Sequence, residues 1–491
     1  MSAFDDGPSA SPSPIERSHQ GFRDSARSDQ YGNDVAQRHK IRSRLSRVAE
    51  TRQTFESLPA LSSNESDSDS DVTTALTTVP EGIQMASVPG PPPGADPLPG
   101  QLDRWLASRG AELVAIRRHI HAHPELSHSE FETAALIARE LAVAGLSPQL
   151  LAKGNGVICD IGEGDRVIAF RADLDALPLQ DTKDVPYRST VTNVAHACGH
   201  DVHTTVLLGL GLALAQLDAQ GELPGRVRLI FQPAEESVPG GAPEVIAAGA
   251  LKDVAAIYAL HCFPQLPAGL VGVRSGPFSA AADTIDVTLT GPGGHTARPH
   301  LTADLVHALG RVIVDVPSLL DRRVDPRAGV SMVWGAVHAG EAFNAIPGEG
   351  HVRGTVRILN RDAWREAPEL VTKLIRDVVA ATGAEADVRY TRGVPPVIND
   401  RMASAVIAGA AGAALGADRV VEAEISMGGE DFSFYLEQVP GAMIRLGTGT
   451  PGSEVGFDLH QSNFDVDERA IGYGVRVMVH TALAALATGA F

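Results

Sequence analysis

Val167-Ile-Ala-Phe-Arg-Ala-Asp173 is nearly continuous in apolar residues and ends on a carboxylate. A strand with one wet face alternates apolar and polar residues, whereas a strand covered on both faces does not. The stretch therefore predicts an interior strand of a sheet with layers on both sides. Its surroundings agree. Gly156-Val-Ile-Cys-Asp-Ile161 predicts a strand before it, Val227 to Phe231 and Ala255 to Leu260 predict two after it, and Thr204 to Leu217 predicts a buried helix between them. Upstream, Leu106, Leu113, Ile116 and Ile120 recur at helical spacing from near Leu102 into His121-Ala-His-Pro-Glu-Leu126. Glu132 to Ala144 predicts a second helix that stops at Gly145. The fold class is α/β.

From about Asp283 to Arg392 the pattern changes. Ile285, Val287 and Leu289 alternate, and a helix carries Leu305, Leu309 and Val312. Strands follow at Val330 to Val337 and Val352 to Ile358, then a helix from Asp362 to Thr382 and a strand through Asp387-Val-Arg-Tyr390. The order β-α-β-β-α-β is that of a ferredoxin-like module, here inserted into the first domain. The expected organisation is an N-terminal arm over 1–100, a first domain over 101–282 and 393–491, and the inserted module over 283–392.

The 491 residues, 44% hydrophobic, suffice for two cores. A formal charge of −19 argues against nucleic acid, which calls for a basic stripe, and no basic amphipathic helix addresses a membrane. The longest apolar run, near Val206 to Ala215, falls short of the roughly 18 residues of a span. Three cysteines, Cys159, Cys198 and Cys262, cannot make a disulfide framework, and a reducing cytoplasm is expected. The arm is rich in Ser, Asp, Pro and Gly, with an acidic run at Glu65 to Asp71 and Pro89-Gly-Pro-Pro-Pro-Gly94. Such composition predicts disorder. Within it, Arg38, Lys40, Arg42, Arg44, Arg47 and Arg52 form a basic patch, read as a solvated face, and Met85 is an alternative start.

The chemistry begins at Cys198-Gly-His200-Asp-Val-His203. Gln232-Pro-Ala-Glu235-Glu236 follows, then Leu260-His261. Thiolate, imidazole and carboxylate are the groups that hold divalent cations, and a vicinal Glu pair can divide its work between base and ligand. Most of these residues fall at or just after predicted strand ends, where α/β sheets place their sites. Asp173 and Asp175 sit at a strand terminus and can orient ligand imidazoles. A cysteine nucleophile at Cys198 with His200 or His203 as base is the competing reading. It leaves Glu235-Glu236 and both aspartates unexplained.

Nine motifs then stand in one order: His121-Ala-His-Pro-Glu-Leu126, Arg171-Ala-Asp-Leu-Asp-Ala-Leu-Pro178, His196-Ala-Cys-Gly-His-Asp-Val-His203, Phe231-Gln-Pro-Ala-Glu-Glu236, Gly291-Pro-Gly-Gly-His-Thr-Ala-Arg-Pro-His300, Asn344-Ala-Ile-Pro347, Gly354-Thr-Val-Arg357, Met427-Gly-Gly-Glu-Asp-Phe-Ser433 and Leu459-His460. Over residues 102 to 488 the chain resembles the aminoacylase/carboxypeptidase family of dinuclear metallohydrolases, in the subgroup of hippurate hydrolase and the auxin-conjugate hydrolases. The resemblance implies a mixed-sheet dinuclear-metal catalytic domain and makes the inserted module a lid and dimerisation domain. It implies that Cys198 bridges two divalent metals as a thiolate and that His200, Glu236, His261 and His460 complete their coordination. Glu235 would be the general base and proton carrier to the leaving amine, with Asp175 supporting the site.

By the same resemblance His295 would reach the partner subunit's site to stabilise the oxyanion, and Asn344 with Arg357 would clamp the substrate α-carboxylate. Manganese or zinc is expected, and ligand softness also admits cobalt or nickel. Ser237 and His128-Ser129 depart from the family's pattern, and Val238-Pro-Gly-Gly241 continues a loop near the site that shapes the acyl pocket. The implied protein is a cytoplasmic homodimer that hydrolyses N-acyl amino acids to a carboxylate and a free amino acid. A dipeptidase or carboxypeptidase on the same site is the alternative, and a catalytically silent ligand-binding protein is the alternative from another class.

Overall fold

The computed structural model describes residues 98–452, 456–489 and 491. The arm expected over 1–100, its basic patch and Met85 lie outside the described residues, except for the last three positions. Those open the first helix, Leu98–Ala122, slightly earlier than its apolar spacing suggests.

An eight-stranded mixed sheet organises the larger layer. Its order is Gln149–Leu150, Val157–Ile161, Arg226–Gln232, Val167–Asp173, Val254–Pro267, Gly441–Gly449, Val271–Val273 and Val420–Glu422. Val167–Asp173 pairs in parallel with Arg226–Gln232 on one side and Val254–Pro267 on the other. All seven of its residues are buried. Alternation assigns them to opposite faces: Ile168, Phe170 and Ala172 enter the core under the long helices, and Val167 and Ala169 enter a smaller core on the other side. Burial on both faces is why the stretch shows no period of two.

The first core is packed by Leu98–Ala122, Phe131–Val143, His200–Ala219, Arg401–Leu415 and Arg469–Thr488. His200–Ala219 is apolar nearly all round, as a helix buried on every side must be. It is longer than the apolar run seen in the sequence. By length and composition alone it could cross a membrane, as could Arg469–Thr488, yet most of each is buried against the sheet and neighbouring helices.

A four-stranded antiparallel sheet is built from Val330–Ala339, Glu349–Ile358, Ala281–Thr290 and Glu385–Val394, in that order. In sequence order this is the expected β-α-β-β-α-β arrangement. Leu305–Leu320 and Arg361–Ala380 cover one face, where Ile285, Val287, Leu289, Val352 and Val356 form a separate core. Two short strands, Gly294–His295 and Ala345–Ile346, pair outside that pattern.

His261 is not at a strand end, as its sequence context suggests. The strand runs on to Pro267, and Gly441–Gly449 stays paired with it past His261. The partner on the other side stops earlier: its last pair is Arg171 with Ala259. His261 thus lies mid-strand but beside a gap left by a shorter neighbour.

Phe170 is 1% exposed and stacks on Tyr258 with ring centroids 5.6 Å apart. Phe170→Ala is expected to cost about 3–5 kcal/mol in chemical denaturation, because the cavity cannot close between a sheet and a packed helix.

Candidate functional site

Three turns beyond the carboxyl ends of interior strands of the large sheet bring the candidate residues together. Val167–Asp173 delivers Asp173 and Asp175, Arg226–Gln232 delivers Glu235 and Glu236, and the turn before His200–Ala219 delivers Cys198 and His200. Gly199 separates the last two with φ 88°, and a Cβ there would meet Cys262 Cβ and Sγ at 2.9 Å. Only glycine allows this approach. Ala234 and His460 also hold left-handed backbone, at φ 59° and 62°, and such strain gathers at functional sites.

Cys198, His200 and His261 each offer a donor atom within 4.8 Å of the others, and Cys198, Glu236 and His460 do the same. The two triads share the Cys198 sulfur. His261 Nε2 lies 3.5 Å from Cys198 Sγ, and Glu236 Oε1 lies 3.2 Å from His460 Nε2. The imidazoles are oriented from behind: His200 Nδ1 donates to the Asp175 carbonyl at 2.9 Å and His261 Nδ1 to the Cys262 carbonyl at 2.8 Å. Each Nε2 lone pair is left facing the cluster. His200 Nε2 is buried and has no hydrogen-bond partner among the described residues. Carbonyl-backed imidazoles, a thiol and a carboxylate with an orphaned nitrogen among them fit divalent cations, softer ones included.

His203, a candidate base by sequence, is excluded from that set by its bonds. Its Nδ1 donates to Asp173 at 2.6 Å and its Nε2 accepts from the Cys262 N–H at 2.8 Å. Asp175 also faces inward. Its carboxylate accepts the backbone N–H groups of Glu235 and Glu236, both at 3.0 Å, and the Ser127 hydroxyl at 2.6 Å. It is a positioning residue that fixes where the two glutamates emerge.

Electrostatics follow from crowding. Burial, then Glu430 and Glu236, push the Glu235 carboxyl well above its usual range. Burial, then Glu236 and Glu235, raise the Cys198 thiol. For His200, burial opposes the charge but Asp173, Asp175 and Glu236 prevail and carry its pKa to about 10. Burial, then His203 and Arg445, keep His261 neutral, as a ligand imidazole must be. A bound cation would reverse the first three tendencies: its positive charge favours the Glu235 carboxylate and the Cys198 thiolate and displaces the proton from His200.

The site opens into a cavity of about 810 Å³ lined in part by Glu235, Glu236, His261, His460, Arg357 and Glu430. Arg357 comes from the antiparallel sheet. Asn344 and His295 do not line this cavity: both are exposed, His295 pairing with Ala345 across the strands Gly294–His295 and Ala345–Ile346 and Asn344 just preceding the second, with the Thr296 N–H donating to the Asn344 carbonyl at 3.2 Å. The joint clamp expected of Asn344 and Arg357 is therefore not assembled within one chain, because the two residues sit at different ends of the antiparallel sheet.

Sequence reasoning missed the buried support behind Glu235. Arg171 donates to Asp173 at 2.6 Å, Gln232 at 2.9 Å and Asp431 at 2.6 Å, with Glu430 at 3.2 Å. The signal was a charged residue inside an otherwise apolar strand. Arg445, inside Gly441-Ala-Met-Ile-Arg445, carried the same signal.

Residues 169–484 match Peptidase family M20/M25/M40. The chain is 46% identical over 369 residues to the "Putative glutamate–cysteine ligase 2-3" of Rhodococcus jostii, covering 75% of this chain and 46% of that protein, so it spans less than half of that relative's length. It is 37% identical over 382 residues to the N-acetylcysteine deacetylase of Bacillus subtilis, covering 77% of this chain and 97% of the relative. Among solved structures, a dinuclear metal binding peptidase of the M20 family from Bacillus subtilis has 34% identity and a TM-score of 0.67, covering 78% of this chain and 99% of that one. Fold and site define a hydrolase of the metal-dependent, amide-cleaving class. The chain belongs to Peptidase family M20/M25/M40.

Asp175→Ala is expected to lower divalent-metal affinity roughly 10–100-fold, since the Glu235 and Glu236 backbone N–H groups lose the carboxylate that anchors them. Metal per chain after equilibrium dialysis, read beside the melting curve, checks this; unchanged metal content would contradict the positioning role.

Proposed function

We propose that the protein is a two-metal amidohydrolase that cleaves N-acyl amino acids to a carboxylate and a free amino acid. The observation that carries the reading is the pair of donor triads sharing Cys198, with Glu235 beside them and unassigned to either. The relatives support it through the deacetylase and the dinuclear peptidase.

Cys198, His200 and His261 would hold one cation, and Cys198, Glu236 and His460 the other, manganese and zinc being the expected occupants. When bound, the cations supply Lewis acidity to the amide carbonyl and make water more acidic. The chain does the rest. Glu235 receives the proton of the attacking water and returns it to the leaving nitrogen, a task open to a carboxylate that stands beside His200 and Glu236 and belongs to neither Cys198 triad. Arg357 takes the α-carboxylate through its planar fork of donors. Asp175 keeps Glu235 and Glu236 at their stations.

Residues 283–392 act in this reading as a lid and dimerisation domain. Val330–Ala339 is an edge strand with Val333 and Val337 exposed, and Phe343, 98% exposed, stands beside Asn344. An open apolar edge of this kind calls for a partner. A second copy of the chain would cover it and would carry His295 and Asn344 to a site that lacks both, His295 to stabilise the oxyanion and Asn344 to hold substrate.

Free amine released from N-acetyl, N-benzoyl and longer N-acyl amino acids, with unblocked dipeptides alongside, tests the reaction on metal-loaded protein. Hydrolysis of blocked substrates is expected, chelation should abolish it, and cleavage of dipeptides alone would overturn the assignment. Glu235→Gln should lower kcat by about 10²–10⁴ with metal retained. Mixing inactive Glu235→Gln and His295→Ala chains should restore activity in mixed dimers; no restoration would refute the contribution in trans.

A further inference from the structure

Arg445 lies inside the strand Gly441–Gly449, between the buried Ile444 and Leu446. It is itself 8% exposed. Register pairs it with His261, and paired residues of adjacent strands face the same side of a sheet. Its guanidinium accordingly lines the same cavity as Cys198 and His261. It sits over the Phe278 ring at 4.7 Å and the Phe263 ring at 5.5 Å, measured to the centroids. Stacking on rings engages the face of a guanidinium and leaves the N–H groups in its plane available.

Among the described residues those N–H groups meet no acceptor. Among the described residues Arg445 makes neither hydrogen bond nor ion pair, and its Nε is buried without a partner. The nearby acids are committed elsewhere: Glu430 Oε1 accepts from the Phe432 N–H at 2.9 Å and faces Arg171 at 3.2 Å, and Asp431 is bound by Arg171, Gln232 and the Ala242 N–H. Arg171, equally buried, has all its partners. A buried cation without one is rare and requires an explanation. Ser279 Oγ, also buried and unpartnered, lines the same cavity.

We propose that Arg445 is a specificity-determining residue that receives a second substrate carboxylate, beyond the one taken by Arg357, so that the preferred substrates are dianionic N-acyl amino acids. This rests on the amidohydrolase reading above. The second carboxylate sits either on the acyl group, as in N-succinyl amino acids, or on the amino-acid side chain, as in N-acyl aspartate or glutamate. The aromatic walls exclude water from the guanidinium, which strengthens its pull on an anion and its rejection of a neutral isostere.

Two matched pairs separate these sources: N-acetyl-L-glutamate against N-acetyl-L-glutamine, and N-succinyl-L-alanine against its succinamoyl counterpart. In one pair the diacid should be preferred about 100-fold in kcat/KM, and in Arg445→Met that ratio should fall to near one. Calorimetric binding of glutarate against its monoamide reads the receptor without turnover, and the diacid preference should again vanish in Arg445→Met. Should that variant fail to fold, Arg445→Lys, which keeps the charge without the fork, should keep part of the preference. No preference in either pair and equal binding of glutarate and its monoamide would overturn the inference, while hydrolysis of monoanionic substrates would leave the amidohydrolase reading standing. Glutarate binding that depends on Arg445 in a protein without turnover would uphold the receptor and remove the reaction.

Discussion

The arrangement of the site depends on one buried guanidinium. Arg171 stands in the central strand on the face of the smaller core, and its bonds reach the end of its own strand at Asp173, the end of the next at Gln232 and the distant loop at Asp431. Gln232 donates to Asp431 at 2.7 Å and accepts from the Tyr435 hydroxyl at 3.0 Å. Three segments far apart in sequence are thereby tied at the strand ends from which Glu235 and Glu236 emerge. A buried charge tolerates no loss of partners, so the network specifies a single geometry as well as a stable one.

The chain concentrates negative charge in front of that network. Glu235, Glu430 and Asp431 offer oxygens within 4.8 Å of one another, and Glu236 and the Cys198 sulfur lie close by. Without added positive charge, burial and mutual repulsion hold protons on Glu235 and Cys198. Cations relieve that repulsion, which is why acids that would otherwise destabilise one another can be packed together at a binding site. The imidazoles are arranged for the same end, each backed by a carbonyl that sets its tautomer.

The two sheets contribute different chemistry to the cavity. The large sheet and its turns supply the donors and acids, Asp175 and the imidazoles of His200 and His261 being held by buried bonds. The antiparallel sheet supplies Arg357 from a strand packed on a separate core. Arg445 belongs to the large sheet, where the Phe263 and Phe278 rings hold it, and a charge so placed is preorganised to discriminate between ligands.

Much of this was legible in order along the chain. Val167 to Asp173 declared a strand covered on both sides, and the alternation at Ile285, Val287 and Leu289 declared one covered on a single side, because side-chain period reports burial directly. Cys198, His200, Glu235, Glu236 and His261 declared themselves by residue type. What the sequence could not supply were facts about partners. His203 and His200 are alike in sequence and differ only in what lies against their ring nitrogens. Arg171 and Arg445 are both arginines within apolar strands; folding gives one three acceptors and leaves the other with none among the described residues. His261 looks like the end of a strand until the length of its neighbour is known. Period and residue type are local properties, whereas pairing, desolvation and the contents of a cavity exist only once distant segments meet. Sequence alone therefore determined the class of fold and the kinds of donor present, and tertiary structure decided which donors are free to bind.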